Sequence, residues 1–446
     1  MSGADALLWT IGADPVLRPT VVAVLALDCA PSWPDVQARI RGLTQGVPRF
    51  RSRAVLRAPG RGRPQFVEDS RFDLDVHLRR IVLPAQASFR DVLDIAQVMG
   101  TTGFDAELPP WEAVVVEGVD EERAALIVKL HHALVDGIGG ITLLASILDQ
   151  RRHPRREPPA AATAPADHAG PSVSGRLPSP RRVLEEALRA AADPAAQLDR
   201  LLSTGASVAR LLAPARRPIS ALMTGRSSRR GFEAFDLPPG ALRRAATATG
   251  GTLNDVFVAG VVRGLSRYHD FHGTALEGLR ALMPVSVRAD DDPVGGNHFV
   301  PARFVIPVLA DAAAGVQAVR RITSSWKHAP GLALSDVLAT GLNLLPGPVV
   351  RAMWGSMLKG DDFCVTNVPG APFETYLAGS RVDSFYAFAP PSGAAVNVSL
   401  VTPADRACVG VTVDTAAVPD GPKLAACLEE GLMDIFEIGP TPLGNP

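Results

Sequence analysis

Two kinds of hydrophobic pattern alternate through the first third of the chain. The segments TVVAVLALD (20–28), EAVVVEGV (112–119) and AALIVKL (124–130) are short apolar runs typical of buried strands. By contrast, FRDVLDIAQVMG (89–100) has its apolar residues at helical spacing. Strands that alternate with helices predict an α/β fold for this part of the chain.

The last part of the chain returns to the same alternation. TLNDVFVAGVVRGLSRYH (252–269) predicts a helix, and Thr252 followed three residues later by Asp255 is close to a capping box at its start. Five apolar runs after it predict strands: LRALMPVSVR, FVPARFVIPV, DDFCVTNVP, AVNVSLVTP and ACVGVTVD. We therefore expect a second α/β unit in this region.

The segment between these units has a different composition. Residues 151–180 contain seven prolines and many small residues, which is typical of a linker that buries little surface. We predict a first domain at 1–150, a Pro/Ala-rich basic linker and helical connector at 151–230, and a second domain at 231–446. A cleft between two such domains is a favoured place for a ligand.

Composition and charge narrow the classes of protein. The 446 residues are 47% apolar, enough for a large core, and the net charge of −1 gives no general attraction to nucleic acid. Residues 151–230 carry 15 arginines and six acidic residues, which predicts a basic surface. Four scattered cysteines without metal spacing favour reduced thiols and a cytoplasmic location. Because no long apolar run occurs, we expect any membrane contact to be peripheral.

The chemistry-bearing residues follow the apolar run at 124–130. The sequence there is AALIVKLHHALVDGIGG, and we expect the strand to end at Leu130 and the loop to begin at His131. Adjacent residues of an extended chain point to opposite sides, so one of His131 and His132 is expected to be structural. Asp136, just before Gly137, is placed to bond an imidazole or an arginine. Two adjacent histidines with one carboxylate match no common zinc spacing, so we predict no metal.

These residues also support a resemblance. His131, His132, Asp136 and Gly137 spell HHxxxDG, which resembles the motif of the superfamily that contains chloramphenicol acetyltransferase and nonribosomal peptide condensation domains. The surrounding segments are similar to the bacterial wax ester synthase/diacylglycerol acyltransferase family: FDLDVHLRRIVLP, PPWEAVVVEGV, GGTLNDVFVAGV, MPVSVR, GGNHF, TNVPGAP and AGSRV. The resemblance implies two chloramphenicol acetyltransferase-like domains with mixed sheets flanked by helices, and an active site in the cleft or tunnel between them.

The resemblance further implies a reaction. Enzymes of this family transfer a fatty acyl group from coenzyme A to a long-chain alcohol or diacylglycerol, without a metal, a resident cofactor or a covalent acyl-enzyme. By motif position, His132 is the expected general base and His131 supports it. Asp136 is expected to pair with an arginine, for which Arg288 in MPVSVR is the candidate, while Gly137 allows the turn. The expected partners are fatty acyl-CoA, the lipid acceptor, and a membrane or lipid-inclusion surface contacted peripherally.

Other matching positions have weaker links to the chemistry. Thr366 or Asn367 in CVTNVPG is the candidate donor to the oxyanion, although Thr366 fits an ordinary strand residue equally well. Helix capping and core hydrogen bonds are the favoured roles of Asn254 and Asp255. Trp111 lies in PPW, where the family usually has Pro-Leu-Trp, and we expect it to be structural.

Two alternatives remain open from the sequence. The first is a specialised-metabolite O- or N-acyltransferase of the same fold, with another acceptor or a carrier-protein donor. The second is a noncatalytic protein that binds acyl ligands and keeps its histidines for packing. The departure at Pro110 and the late segment FAPPSGAAVNVSLVTPADRACVGV leave the identity of the acceptor open.

Overall fold

The fold was obtained as a computed structural model. It describes residues 1–56, 64–135, 137–153, 215, 217–286, 299–327, 342–343, 345–404 and 406–438. Most of the predicted linker, together with Asp136 and Arg288, lies outside these residues. The segment boundaries at 1–150, 151–230 and 231–446 therefore stay a prediction.

The first of two large sheets contains the strand that precedes the histidine motif. In spatial order it consists of β11 (Tyr376–Leu377), β12 (Ser380–Phe388), β1 (Thr20–Leu27), β6 (Arg123–His131), β5 (Trp111–Val119) and β4 (Leu78–Val82). Only β4 and β5 pair in parallel, and the other neighbours are antiparallel.

The second large sheet is built from the later part of the chain. In spatial order it consists of β7 (Arg230–Leu237), β14 (Ala407–Asp414), β13 (Val396–Thr402), β10 (Phe363–Pro369), β8 (Gly278–Ser286) and β9 (Phe299–Pro307). β10 is parallel to both β8 and β13, while the remaining pairs are antiparallel. A separate hairpin joins β2 (Ser52–Val55) to β3 (Gln65–Glu68).

Helices cover these sheets. In the described ranges they are α1 (Gly3–Ile11), α2 (Trp33–Gly46), α3 (Leu74–His77), α4 (Phe89–Thr101), α5 (Gly137–Ser146), α6 (Ala241–Thr249), α7 (Leu253–Phe271), α8 (Ala312–Lys327), α9 (Gly347–Leu358) and α10 (Gly421–Phe436), with a 3-10 turn at Pro48–Arg51. Apolar residues of α2 pack on one face of the first sheet and those of α4 on the other. α7 and α10 pack together over the second sheet.

The main sequence predictions agree with these elements. Two mixed sheets flanked by helices confirm the predicted fold class. The capping box of α7 is present, because Asp255 N donates to Thr252 Oγ1 at 3.2 Å and Thr252 N donates to Asp255 Oδ2 at 2.9 Å. The expected end of the catalytic strand was wrong by one residue: hydrogen bonds to both neighbouring strands extend β6 through His131. α5 then begins at Gly137, the last residue of the histidine motif.

One strand from the later part of the chain lies in the first sheet, next to the second. β12 comes from the later part of the chain but pairs with β1 of the first sheet, with Val22 opposite Phe388. The Phe388 ring stacks on Phe232 of β7 at 4.4 Å between centroids, in a shared apolar cluster. Gly410 of β14 approaches so closely that an added Cβ would lie 2.3 Å from the Ala387 carbonyl oxygen. Any side chain at position 410 would clash with this carbonyl, so the position requires glycine.

Candidate active site

Backbone hydrogen bonds on both sides fix the histidine pair at the end of β6. His131 N donates to the carbonyl of Pro110 at 3.0 Å, and His132 N donates to the carbonyl of Pro19 at 2.9 Å. The carbonyl of His131 accepts from Leu134 N at 2.9 Å, which turns the chain out of the strand. Residues directly before two neighbouring strands, β5 and β1, therefore hold the backbone of the motif.

The imidazole of His131 is enclosed and neutral. Its Nδ1 accepts a hydrogen bond from Ala133 N at 3.1 Å, which places the ring proton on Nε2. The ring packs against Trp9 and Phe104, at 4.6 and 5.9 Å between centroids. Burial, with a smaller contribution from the charge of His132, lowers the pKa of His131 to about 3. His131 therefore does not take up a second proton at neutral pH and stays uncharged.

His132 differs from its neighbour in exposure. Its side chain is half-buried, whereas that of His131 is buried. The two neighbouring histidines therefore differ in burial, and the expectation that one of them is structural stays a prediction. The roles of general base for His132 and support for His131 stay predictions at this point.

A buried lysine holds the segment that packs on His131. The ammonium of Lys129, two residues before His131, is fully buried and donates to Thr102 Oγ1 at 3.2 Å, Gly103 O at 3.1 Å and Glu112 Oε1 at 2.9 Å. It also lies 4.4 Å from the ring centroid of Phe104, the residue that contacts His131. Burial lowers the pKa of Lys129, and the Glu112 carboxylate acts in the opposite direction. Lys129 therefore fixes one wall of the His131 pocket.

An arginine that the sequence did not single out reaches the motif loop. Arg49 Nη1 lies 3.4 Å from the carbonyl oxygen of Leu134 and 3.4 Å from the buried carboxylate of Asp5. The predicted pairing of Asp136 with Arg288 falls on residues outside the described ranges and stays a prediction. Arg49 lies 85 positions before Leu134, and no local pattern in the sequence indicates that the two meet.

The candidate oxyanion residues lie on the second sheet. Thr366 is half-buried and Asn367 is exposed, both on β10. α5, which follows the histidine motif, packs against β10. The helix therefore brings the motif and the strand of Thr366 to the same junction between the sheets.

The remaining motif residues have structural contacts. Asp255 caps α7, and its Oδ1 also accepts from Thr323 Oγ1 at 2.9 Å. Asn254 Nδ2 lies 3.6 Å from the sulfur of Met283. Trp111 is buried at the start of β5 and donates from Nε1 to the carbonyl of Phe50 at 2.7 Å. These contacts account for the three residues without a part in catalysis.

Solved structures with the same fold include an acyltransferase and a condensation domain. A wax ester synthase/diacylglycerol acyltransferase from Marinobacter aquaeolei VT8 matches with a TM-score of 0.62 and 21% identity, over 97% of each chain. The first condensation domain of the calcium-dependent antibiotic synthetase, in complex with a substrate analogue, matches with a TM-score of 0.65 and 18% identity, over 99% of this chain and 96% of its own. These similarities define the class of fold: two mixed sheets flanked by helices, of the chloramphenicol acetyltransferase-like kind.

Sequence comparison identifies the family within this class. The model of the wax ester synthase/diacylglycerol acyltransferase catalytic domain matches residues 1–257, and that of the WS/DGAT C-terminal domain matches residues 295–436. A Mycobacterium tuberculosis H37Rv protein, provisionally named a diacylglycerol O-acyltransferase, is 31% identical over 98% of this chain and 92% of its own. The chain belongs to the wax ester synthase/diacylglycerol acyltransferase family and is an acyltransferase.

No helix in the parts of the chain that the structure describes is long and apolar enough to cross a membrane.

Proposed function

We propose that this acyltransferase moves a fatty acyl group from coenzyme A to the hydroxyl of a long-chain alcohol or a diacylglycerol, with His132 as the general base. The observation that carries the proposal is the contrast within the histidine pair. His131 is sealed and held neutral, while His132, fixed by the same two strands, remains half-buried at the junction of the sheets. The family match supports the acyl chemistry.

The reaction follows from the properties of a neutral imidazole. His132 accepts the hydroxyl proton as the alcohol oxygen attacks the thioester carbonyl and the new C–O bond forms. The tetrahedral intermediate then collapses, the C–S bond breaks, and the imidazolium returns the proton to the departing thiolate. The proton that His132 takes from the alcohol is the one it returns to the thiolate, so the proposed reaction uses no covalent acyl-enzyme, metal or resident cofactor.

The developing oxyanion requires a fixed donor in a site that excludes water. Thr366 is our candidate, because it is half-buried on β10, against which α5 packs. Asn367, exposed on the same strand, is the second candidate. We also propose that the protein contacts a membrane or lipid inclusion peripherally while it collects the acceptor.

The test uses purified protein and a panel of substrates. Acyl-CoA donors of different chain length are combined with hexadecanol, dioleoylglycerol, small alcohols and amines, and both thiol release and product mass are measured. Esters of the first two acceptors are the expected products. Products with amines alone would replace the lipid reaction with specialised-metabolite acylation, and absence of any transfer would favour a noncatalytic binding protein.

The role of His132 has its own test. His132→Ala is expected to lower turnover by about 10² to 10⁴, the usual contribution of a general base, with little change in the unfolding free energy. His153→Ala, which removes an exposed histidine, is the matched control and should retain turnover. Near wild-type turnover in a folded His132→Ala protein would exclude this mechanism.

A further inference from the structure

A small polar pocket lies between the two sheets. β1 and β14 each contribute a threonine to it, and the stacked rings of Phe232 and Phe388 form part of its wall. The enclosed space is small, with room for about one water-sized group, and it opens to the surface through a mouth. Its polar lining consists of Arg18, Thr20, Thr101, Ser228, Arg230 and Thr412.

Two threonines that line this pocket have hydroxyl groups without a hydrogen-bond partner among the described residues. Thr20 and Thr412 are 7% and 2% exposed, and within the described residues neither Oγ1 forms a hydrogen bond. A buried hydroxyl without a partner is unfavourable, because it has lost the hydrogen bonds that water supplied in the unfolded chain. Two such groups from different sheets in one pocket indicate an occupant that bonds to both.

The charges around the pocket indicate the kind of occupant. The charged residues of the lining are Arg18 and Arg230, and Arg230 lies 3.3 Å from the carboxylate of Asp414. Arg18 donates one bond to the carbonyl of Thr101 at 2.8 Å but has no carboxylate partner in the part of the chain that the structure describes. Of the two arginines in the lining, Arg18 is therefore the one without a carboxylate partner among the described residues, which leaves an uncompensated positive charge at the pocket.

We propose that this pocket binds a small inorganic anion, such as chloride or phosphate, between the two sheets. The hydroxyls of Thr20 and Thr412 and the guanidinium of Arg18 donate to it. The bound anion compensates the unpaired positive charge and satisfies both hydroxyls, so it stabilises the contact between the sheets. Because Thr20 lies directly opposite His131 in the strand register, the anion also supports the strand that carries the histidine motif.

The test measures thermal unfolding of the full chain as chloride or phosphate replaces gluconate, a larger anion, at constant ionic strength. A ligand that binds only the folded state raises the midpoint in a saturable manner. We expect this for wild-type protein with at least one of the two anions, and the anion that acts at lower concentration is the preferred ligand. A midpoint that does not depend on either anion would overturn the proposal and leave water as the occupant.

Substitutions of the lining residues test whether the anion binds in this pocket. Thr20→Val and Thr412→Val together remove both hydroxyls while they keep the side-chain shape, and should raise the half-saturating anion concentration about tenfold or more. Arg18→Met provides an independent variant with the same expected direction. Thr247→Val is the control, because Thr247 is exposed and its hydroxyl bonds to the carbonyl of Arg243. An unchanged anion response in the pocket variants would place the anion elsewhere and refute this site.

Discussion

The buried ion pair beside the histidine motif leads to the most quantitative prediction. Glu112→Gln removes the only carboxylate that contacts Lys129 in the described part of the chain, while the ammonium stays fully buried. Breaking a buried pair by removing one partner costs about 3 to 5 kcal/mol. This loss of unfolding free energy has an upper limit, because the unpaired Lys129 can lose its proton instead of staying charged. Neutralising a lysine with an ordinary pKa of about 10.4 costs about 4.6 kcal/mol at pH 7. We therefore expect Glu112→Gln to lower the unfolding free energy by about 3 to 4 kcal/mol.

Removal of the other partner should cost less. In Lys129→Met, Glu112 keeps its bond to Arg79 at 2.5 Å and remains 27% exposed, so its charge is still paired and partly hydrated. The loss is mainly the hydrogen bonds to Thr102 and Gly103, about 1 to 3 kcal/mol. The double variant removes both charges and should be no less stable than Glu112→Gln alone.

Urea unfolding at pH 7 of the wild type, both single variants and the double variant gives the coupling energy from a thermodynamic cycle. Arg79→Gln is the matched control, because Arg79 contacts the same carboxylate from the exposed side and should cost less than about 1 kcal/mol. A loss below 1 kcal/mol for Glu112→Gln, or a double variant less stable than Glu112→Gln, would refute the reasoning.

Two further predictions concern the enclosed histidine. Because the folded-state pKa of His131 is about 3 and the unfolded value about 6.5, the unfolded chain takes up the proton first, so stability falls as pH drops from 6.5 towards 3. Over this range the unfolding free energy should fall by about 4 to 5 kcal/mol. Urea unfolding at a series of pH values should show this decrease for the wild type and not for His131→Gln. Gly12→Ala places a Cβ 2.9 Å from Pro19 Cδ and 3.2 Å from His131 Nε2, so it should lower turnover, whereas Gly42→Ala, with no atom within 4 Å, should not. Equal turnover in both alanine variants would contradict this steric effect.

Local pattern predicted the strands that are buried on both faces and the helix that is capped within its own first turn. β5 and β6 are continuous apolar runs because both of their faces are buried, and such runs are recognisable without any partner strand. The cap of α7 was predictable for the same reason, since Thr252 and Asp255 satisfy each other within one turn.

Contacts between distant segments were not predictable from local pattern. β12 was missed because Arg381 and Asp383, which pair with each other, interrupt its apolar pattern. Likewise, Trp9 and Phe104 enclose His131 from positions more than 100 and nearly 30 residues away, and neither is part of a motif. The sequence predicted a role for the histidine pair, whereas the burial of His131 and the half-buried position of His132 arise from the tertiary fold.

The pairing of β12 with β1 has a consequence for biosynthesis. The first sheet can be completed only after Phe388, which lies opposite Val22, has been synthesised. At about 5 to 20 residues per second, translation of the intervening chain takes about 20 to 70 seconds, during which one apolar edge of β1 has no partner. A nascent chain with such an open edge is a substrate for chaperones and a site for erroneous strand pairing. The first sheet therefore becomes complete only after β12 has been synthesised. A chain whose translation stops before residue 380 has an incomplete first sheet.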